Sequence, residues 1–338
     1  MKAWMVELHG EPLEALALRE VADPEARPGT NTVVIDVEAC GLNFADILLC
    51  RGTYQERPTP PFTPGLEVAG TVVAADPSCQ LGPGQRVVGS PLLPFGGAAH
   101  RALARADEVF IVPPSLSSVE AAALHITYQT AWIGLHRRAG LQPGETVLVH
   151  AAAGGTGAAA VQVAKAADAT VIATAGGPEK VARARALGAD LVLDYRTDDF
   201  VPAVLEATGG RGADVVVDPV GGETFERSTR CIAWEGRILV LGAASGDYAP
   251  ARTNHVMVKN YSVVGLHWGG YRTRAPEIVE QAHRAIMELH RRGAIDPGVT
   301  ETVAFSDLPD ALTRLAAGKT TGKLVLTPQN PRPCDLPR

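Results

Sequence analysis

The 338-residue chain lacks a basic surplus: 31 Lys and Arg stand against 37 Asp and Glu, a net charge of −6. Nucleic-acid binders usually carry a basic patch or stripe, so no nucleic-acid partner is expected. No run of about 18 or more strongly apolar residues, the length a spanning helix needs, occurs either. Ala151 to Ala169 comes nearest, but Gln162, Lys165 and Asp168 interrupt it. The first residues, "MKAWMVELHGEPLEAL", put glutamates where a secretory leader needs an apolar core. A cytoplasmic protein without membrane association is expected. The five cysteines, Cys40, Cys50, Cys79, Cys231 and Cys334, are scattered and form no Cys-x-x-Cys pair. That excludes a disulfide framework and a zinc knuckle, and leaves free, mostly buried thiols in a reducing compartment. Nine histidines include no His-x-x-x-His pair, and His283 and His290 are expected on a solvated helix face. No Ser-His-Asp arrangement marks a nucleophile.

What is present divides the chain. The first third reads as short strands between Pro/Gly turns: "TVVIDVEACG", "LEVAGTVVAA", "QRVVGSPLL" and "DEVFIVPP". From Ser117 the pattern turns helical, with a Ser cap opening "SSVEAAALHITYQTAWIGLHRRAG" and Gly140 closing it. Strands and helices then alternate: "ETVLVHA", "GAAAVQVAKAAD", "TVIATA", "PEKVARARALGA", "LVLDY", "DFVPAVLEATGG", "DVVVDPV", "ETFERSTRCIAW" and "RILVLGA". Near-continuous Val/Ile/Leu strands alternating with helices predict an α/β fold, a doubly wound parallel sheet. Beyond Leu266 come one more long helix, "APEIVEQAHRAIMELHRRG", short pieces ending in "GKLVLTP", and a loose Pro-rich tail, "QNPRPCDLPR".

The stretch "VLVHAAAGGTGAAAVQVAKA" follows a buried strand and opens a helix, the setting a dinucleotide fingerprint requires. Gly155, Gly157 and Ala160 fit G-x-G-x-x-A, with Gly154 and Thr156 in the same turn. Gly155 would allow the tight turn, Gly157 the approach of a pyrophosphate, and Ala160 close helix–strand packing. The helix N-terminus would turn N–H groups and partial positive charge toward the phosphates. The second strand ends in "AGGPEK" with no carboxylate at its tip, whereas an NAD site usually has one to hold the ribose 2′-hydroxyl. Lys180, followed by Arg183 and Arg185, instead favours a 2′-phosphate. NADPH is the expected cofactor.

"HAAAGGTGAAAVQVAKA", "ATAGGPEKVARARALGAD", "LDYRTDDF", "VVVDPVGGETFERS", "ACGLNFADILLCRGTY" and "PGLEVAGTVV" together resemble one family. It is the zinc-free, zeta-crystallin-like quinone oxidoreductases of the medium-chain dehydrogenase/reductase superfamily, and the likeness runs from Lys2 to about Thr327. The resemblance implies a Rossmann domain, residues 125–264, inserted in a GroES-like β-rich catalytic domain formed by 1–124 and 265–338. It also implies a homodimer. Zinc members of the superfamily place a cysteine ligand in a "GxC" turn and a histidine in "GHE". Here the corresponding positions are Asn43 in "GLN" and Leu66 in "GLE", and no four-cysteine lobe follows Arg86. No metal is expected, since a catalytic zinc wants three His, Cys or carboxylate ligands.

Without zinc to polarise a carbonyl, the implied acceptors are quinones or α,β-unsaturated carbonyls, whose conjugation spreads the incoming charge. By the same resemblance Asn43 and Thr130 lie beside the nicotinamide and its ribose, Tyr54 donates to the reduced oxygen, and Tyr195 lies against the adenosine. Gly176, Gly242, Ala244, Ser245, Leu266 and Trp268 join the cofactor contacts, the later ones through backbone. Asp46 and Glu67 are structural survivors of the zinc-type pattern, and Leu48 and Cys50 make an apolar wall near Asn43. His125 and His267 depart from the family and read as pocket groups or packed side chains. Two other functions stay open: an enoyl-thioester reductase of a biosynthetic pathway, and a non-enzymatic, crystallin-like or RNA-binding protein that retains NADPH.

Overall fold

The computed structural model describes residues 1–328; the tail "QNPRPCDLPR", with Cys334, lies outside the described residues. The chain divides into two compact units: Met1–His125 with the segment from Val299 onward, and Ile126–Gly298. Among the described residues, no helix is long and apolar enough to cross a membrane.

In the first unit, β-branched runs between Pro/Gly turns form a six-stranded sheet. Its order is Val299–Ala304, Lys323–Thr327, Thr32–Gly41, Val68–Ala75, Arg86–Pro91 and Arg101–Ile111. Thr32–Asp36 also pairs with Arg101–Arg105, closing four of the strands on one another. Val33, Ile35, Val37 and Ala39 fill the interior without exposure. The last of these strands starts six residues before the expected Asp107, because Ala102 and Ala104 alternate inward against half-buried Arg101, Leu103 and Arg105. Alanine is a poor strand former, and burial overrides that preference.

The second unit holds six parallel strands in the order Leu191–Asp194, Thr170–Ala175, Thr146–Val149, Ala213–Asp218, Ile232–Val240 and Ser262–Gly265. The order reverses direction between Thr146–Val149 and Ala213–Asp218, which is the switch point of a doubly wound sheet. Val147, Leu148, Val149, Val215, Val216 and Val217 are all fully buried, as strands covered on both faces must be. The helix expected over "ETFERSTRCIAW" stops at Cys231, and Ile232 begins the next strand. There the β-branched and aromatic residues prefer the sheet to another helical turn.

The helix opening at Ser118 is capped as expected. Ser117 Oγ accepts from the Glu120 N–H at 3.2 Å, while the Glu120 carboxylate accepts from the Ser117 N–H at 2.9 Å. That reciprocal pair is a capping box. The return to the first unit comes at Val299, not near residue 265. Strand Ser262–Gly265 is paired into the parallel sheet, and the chain beyond it is clasped to the second unit's own first helix. Tyr128 Oη donates to the Asp296 carbonyl, Gln162 Nε2 donates to Tyr128 Oη at 2.7 Å, and the Asp296 N–H donates to Gln162 Oε1 at 2.7 Å.

Candidate active site

The glycine loop lies at the switch point. After Val149 the chain turns through Ala151, at φ 50°, and the helix Gly155–Ala166 begins behind Gly154. A Cβ on Gly157 would collide with the Ala151 carbonyl, so this glycine is required by the loop's own packing. At Gly154 the nearest atom to such a Cβ is 3.4 Å away, an ordinary contact. The role expected of Gly157, room for a ligand, is thus first a role within the fold. Ala160 is fully buried, as a residue seating the helix on the sheet must be.

His150, between strand and loop, is buried and ties three elements together. Ser228 donates its only hydroxyl proton to the Thr224 carbonyl at 2.7 Å, so His150 Nε2 must donate to Ser228 at 2.9 Å. Nδ1 then accepts from Thr174 Oγ1 at 2.9 Å. Burial pushes the imidazole down to about 3, so it stays neutral. It holds the loop's base and moves no proton.

At the tip of Thr170–Ala175 the Tyr195 ring stands over Gly176, where any Cβ would strike the phenol. Gly177, at φ 89°, donates its N–H to Asp194 Oδ1 at 3.0 Å, and the Arg196 N–H donates to the same oxygen at 3.0 Å. These two N–H groups, the Gly177 one first, lower the Asp194 carboxyl. Arg196 Nη1 lies 2.9 Å from where a Gly177 Cβ would be. Lys180 is lowered first by burial and then by the Arg196 charge. Two cations therefore face one turn beside an exposed aromatic ring. Arg196 escaped the sequence reading although it adjoins Tyr195 in "LDYRTDDF". Arg183 instead donates to the Gly298 carbonyl at 2.9 Å, away from this turn.

Along the other strand ends, Asp218 Oδ1 accepts from the Val220 and Gly221 N–H groups at 2.8 and 2.9 Å. Ala244 and Ser245 donate their N–H groups to the Pro219 and Val220 carbonyls, each at 3.0 Å, and Gly242 is half-buried beside them. Leu266 and Trp268 are buried, and the Trp268 indole donates to Gln129 Oε1 at 3.1 Å. His267 between them is exposed.

In the first unit, Asn43 precedes the helix Phe44–Arg51, and Asp46 Oδ2 accepts from its backbone N–H at 2.8 Å. Asp46 Oδ1 accepts from the Gly65 N–H at 3.0 Å. Burial pushes the Asp46 carboxyl up to about 6 against these bonds. The Asn43 side chain donates to Glu67 Oε1 at 2.8 Å and to the Gly41 carbonyl at 3.2 Å, and accepts from Lys323 Nζ at 2.7 Å. Lys323 also pairs with the fully buried Glu67. Lys323 was missed; a lysine at an inward strand position in "GKLVL" was its signal.

Tyr54 is half-buried, its N–H bonded to the Leu48 carbonyl at 3.2 Å. Thr130 is half-buried on the helix Ser118–Trp132, and belongs to the second unit. Leu48 is half-buried, but Cys50 has no exposure and forms no wall. Burial pushes its thiol up to about 12. His125 is buried, its Nε2 3.1 Å from Ser90 Oγ. His283 is buried too, not solvated: it shares the inward face of Pro276–Arg291 with Ile278, Val279, Ala282 and Ile286. Among the described residues, no three His, Cys, Asp or Glu side chains form a group that could hold a metal.

Comparison with known proteins places this arrangement. Residues 29–114 match the alcohol dehydrogenase GroES-like domain, and residues 155–285 match the zinc-binding dehydrogenase family. Quinone oxidoreductase-like protein 2 of Bos taurus is 38% identical over 314 residues, covering 92% of this chain and 89% of that one. The crystal structure of Escherichia coli quinone oxidoreductase complexed with NADPH superposes with a TM-score of 0.88. It is 30% identical, over 97% of this chain and 100% of that one. A stretch of erythronolide synthase EryA2 of Saccharopolyspora erythraea is 35% identical, matching 96% of this chain but 9% of that one. The chain is an oxidoreductase with a Rossmann sheet and a GroES-like sheet. It belongs to the quinone oxidoreductase branch of the medium-chain dehydrogenase/reductase superfamily.

Proposed function

We propose that the protein is an NADPH-dependent reductase of quinones or α,β-unsaturated carbonyls that works without zinc. The carrying observation is the turn at Gly176 and Gly177, which the Tyr195 ring and the Arg196 guanidinium overlie, with the Lys180 ammonium near enough to feel the Arg196 charge. Two cations suit a 2′-phosphate and an exposed flat ring suits adenine. The Gly154–Gly157 loop and the helix it opens would take the pyrophosphate, with Thr156 at the first helical turn. The NADPH complex of the Escherichia coli relative supports the same cofactor. Bound NADPH supplies a hydride.

The chain's own groups have the remaining tasks. Thr130 offers the nicotinamide half a hydrogen bond without adding charge near a ring that becomes cationic. Gly242, Ala244, Ser245 and the backbone of Leu266 and Trp268 border it. Tyr54 donates to the substrate oxygen that gains negative charge. A zinc ion does not fit these residues. Asn43 and Leu66 stand at two ligand positions of the zinc-type pattern, and the Lys323 ammonium already bonds the Asn43 oxygen, where it would repel a dication.

The EryA2 likeness favours a second reading, an enoyl-thioester reductase. A panel of quinones, enones and enoyl-CoA thioesters, with NADPH consumption followed, decides between them. Turnover of thioesters alone would replace the quinone reading, and no turnover with any of the three would refute both substrate classes. We also infer a cytoplasmic homodimer. The edge strand Ser262–Gly265 exposes Val263, and Met257 and Val258 on the preceding helix are exposed as well. Sedimentation at micromolar concentration tests it, and a monomer there refutes it.

A further inference from the structure

We infer that Asp194 is a positioning residue for the 2′-phosphate: its carboxylate ties the Gly177 turn to the Arg196 backbone, and so holds Arg196 beside the helix that carries Lys180. The inference rests on the NADPH reading above and adds a residue that neither the sequence nor that reading assigns. All the groups it uses belong to the second unit. Asp194 ends the strand Leu191–Asp194 and lies opposite Ala175, the last residue of the neighbouring strand.

One oxygen does the tying. Asp194 Oδ1 accepts from the Gly177 N–H and from the Arg196 N–H, each at 3.0 Å. The first bond spans 17 residues of chain and fixes the residue behind which the helix Pro178–Ala186 begins, with Lys180 in its first turn. The second fixes the backbone of Arg196, whose Nη1 lies 2.9 Å from where a Gly177 Cβ would be. The loop is closed around the same residue: the Asp194 N–H donates to Asp198 Oδ2 at 2.8 Å, and the Asp198 N–H donates to the Asp194 carbonyl at 2.7 Å. Tyr195 is held differently. Its N–H donates to the Ala175 carbonyl at 3.1 Å, a bond that needs no carboxylate. Losing the carboxylate would therefore loosen Arg196 and the start of the Lys180 helix while leaving the exposed ring where it is.

Charge alone acts in the opposite sense. A carboxylate close to a bound phosphate repels it, so Asp194 would oppose NADPH unless the bonds it accepts outweigh that repulsion. Those N–H groups, the Gly177 one first, hold the carboxyl below its ordinary range, so it stays ionised at neutral pH. Because both bonds fall on Oδ1, an asparagine can accept them with its amide oxygen and drop the charge. Positioning and charge thus predict opposite signs for one alanine substitution.

Dissociation constants for NADPH and NADH, which differ only in the 2′-phosphate, are measured on the wild type, Asp194→Ala and Asp194→Asn. Asp194→Ala should weaken NADPH about five- to tenfold, the worth of one hydrogen bond, and NADH less than about twofold. Asp194→Asn should keep the wild-type preference for NADPH or raise it. In a background carrying Lys180→Ala and Arg196→Ala, Asp194→Ala should leave the ratio of the two constants unchanged, since the groups it acts through are gone. Four results would each overturn the assignment: NADPH bound by Asp194→Ala as well as by the wild type or better, equal weakening of both nucleotides, a loss in Asp194→Asn as large as in Asp194→Ala, or a change of ratio that persists in the double background. A wild-type chain without NADPH preference would overturn the 2′-phosphate reading itself, and this assignment with it.

Discussion

The Tyr195 hydroxyl and ring occupy the space into which a side chain on Gly176 would project. Tyr195 is 54% exposed, so it can swing away at little cost to the fold. Gly176→Ala should therefore leave the melting temperature within a degree or two while lowering NADPH affinity several-fold, because the stacking face has moved. Isothermal titration and a thermal scan on the same sample check both halves; a melting temperature that fell in step with affinity would refute the argument.

Lys180 reaches the turn from the helix Pro178–Ala186 and Arg196 from just past the strand Leu191–Asp194, and the expected 2′-phosphate would lie between their charges. Removing either, as Lys180→Ala or Arg196→Ala, should weaken NADPH about tenfold, near the lower bound for a charge-assisted hydrogen bond. NADH affinity should hardly change. The NADPH preference should also shrink with rising salt, because exposed charges are screened. Equal losses for the two nucleotides would remove the 2′-phosphate from this turn.

Gly154 and Gly157 stand three residues apart but face different constraints. Gly157→Ala meets the backbone of Ala151, which cannot move as a side chain can, and should cost about 1–3 kcal/mol of stability. Gly154→Ala meets nothing closer than 3.4 Å and should stay within about 0.5 kcal/mol. Denaturant midpoints of the two variants give the comparison directly.

His283 gives the folded chain a pH dependence whose sign is fixed. Burial holds its imidazole at about 4, well below the ordinary 6.5. Between these values the unfolded chain binds a proton that the folded chain refuses, so stability falls as pH drops through this window and is complete above it. His283→Leu should flatten the wild-type slope there by up to about 1.4 kcal/mol per pH unit. Urea unfolding from pH 7 to 4.5 measures it, and parallel slopes would show that His283 titrates normally.

The sheet of the second unit was legible because its strands are unbroken apolar runs and its glycines fall just ahead of a helix. The place of Lys180, though not its role, was legible from spacing: it lies one turn past the tip of the second strand. Arg196 belongs to the same turn but comes from the end of the following strand, a proximity that spacing along the chain does not express. Lys323 is more remote still, 280 residues from the amide it bonds. His283 was misread because polarity was taken as exposure, although it lies four residues after Val279 and three before Ile286, on one helical face. At Ala102 and Ala104 the inward face is so small that the strand carries almost no hydrophobic signal.

The bonds joining Tyr128 and Gln162 to Asp296 bring the entrance and the exit of the second unit to one place. A segment whose two ends are fastened together can be exchanged as a cassette: its replacement alters two neighbouring splice points and leaves the host's remaining connections as they were. The clasp thus gives the second unit two neighbouring ends, fastened through one tyrosine and one glutamine rather than through the chain itself.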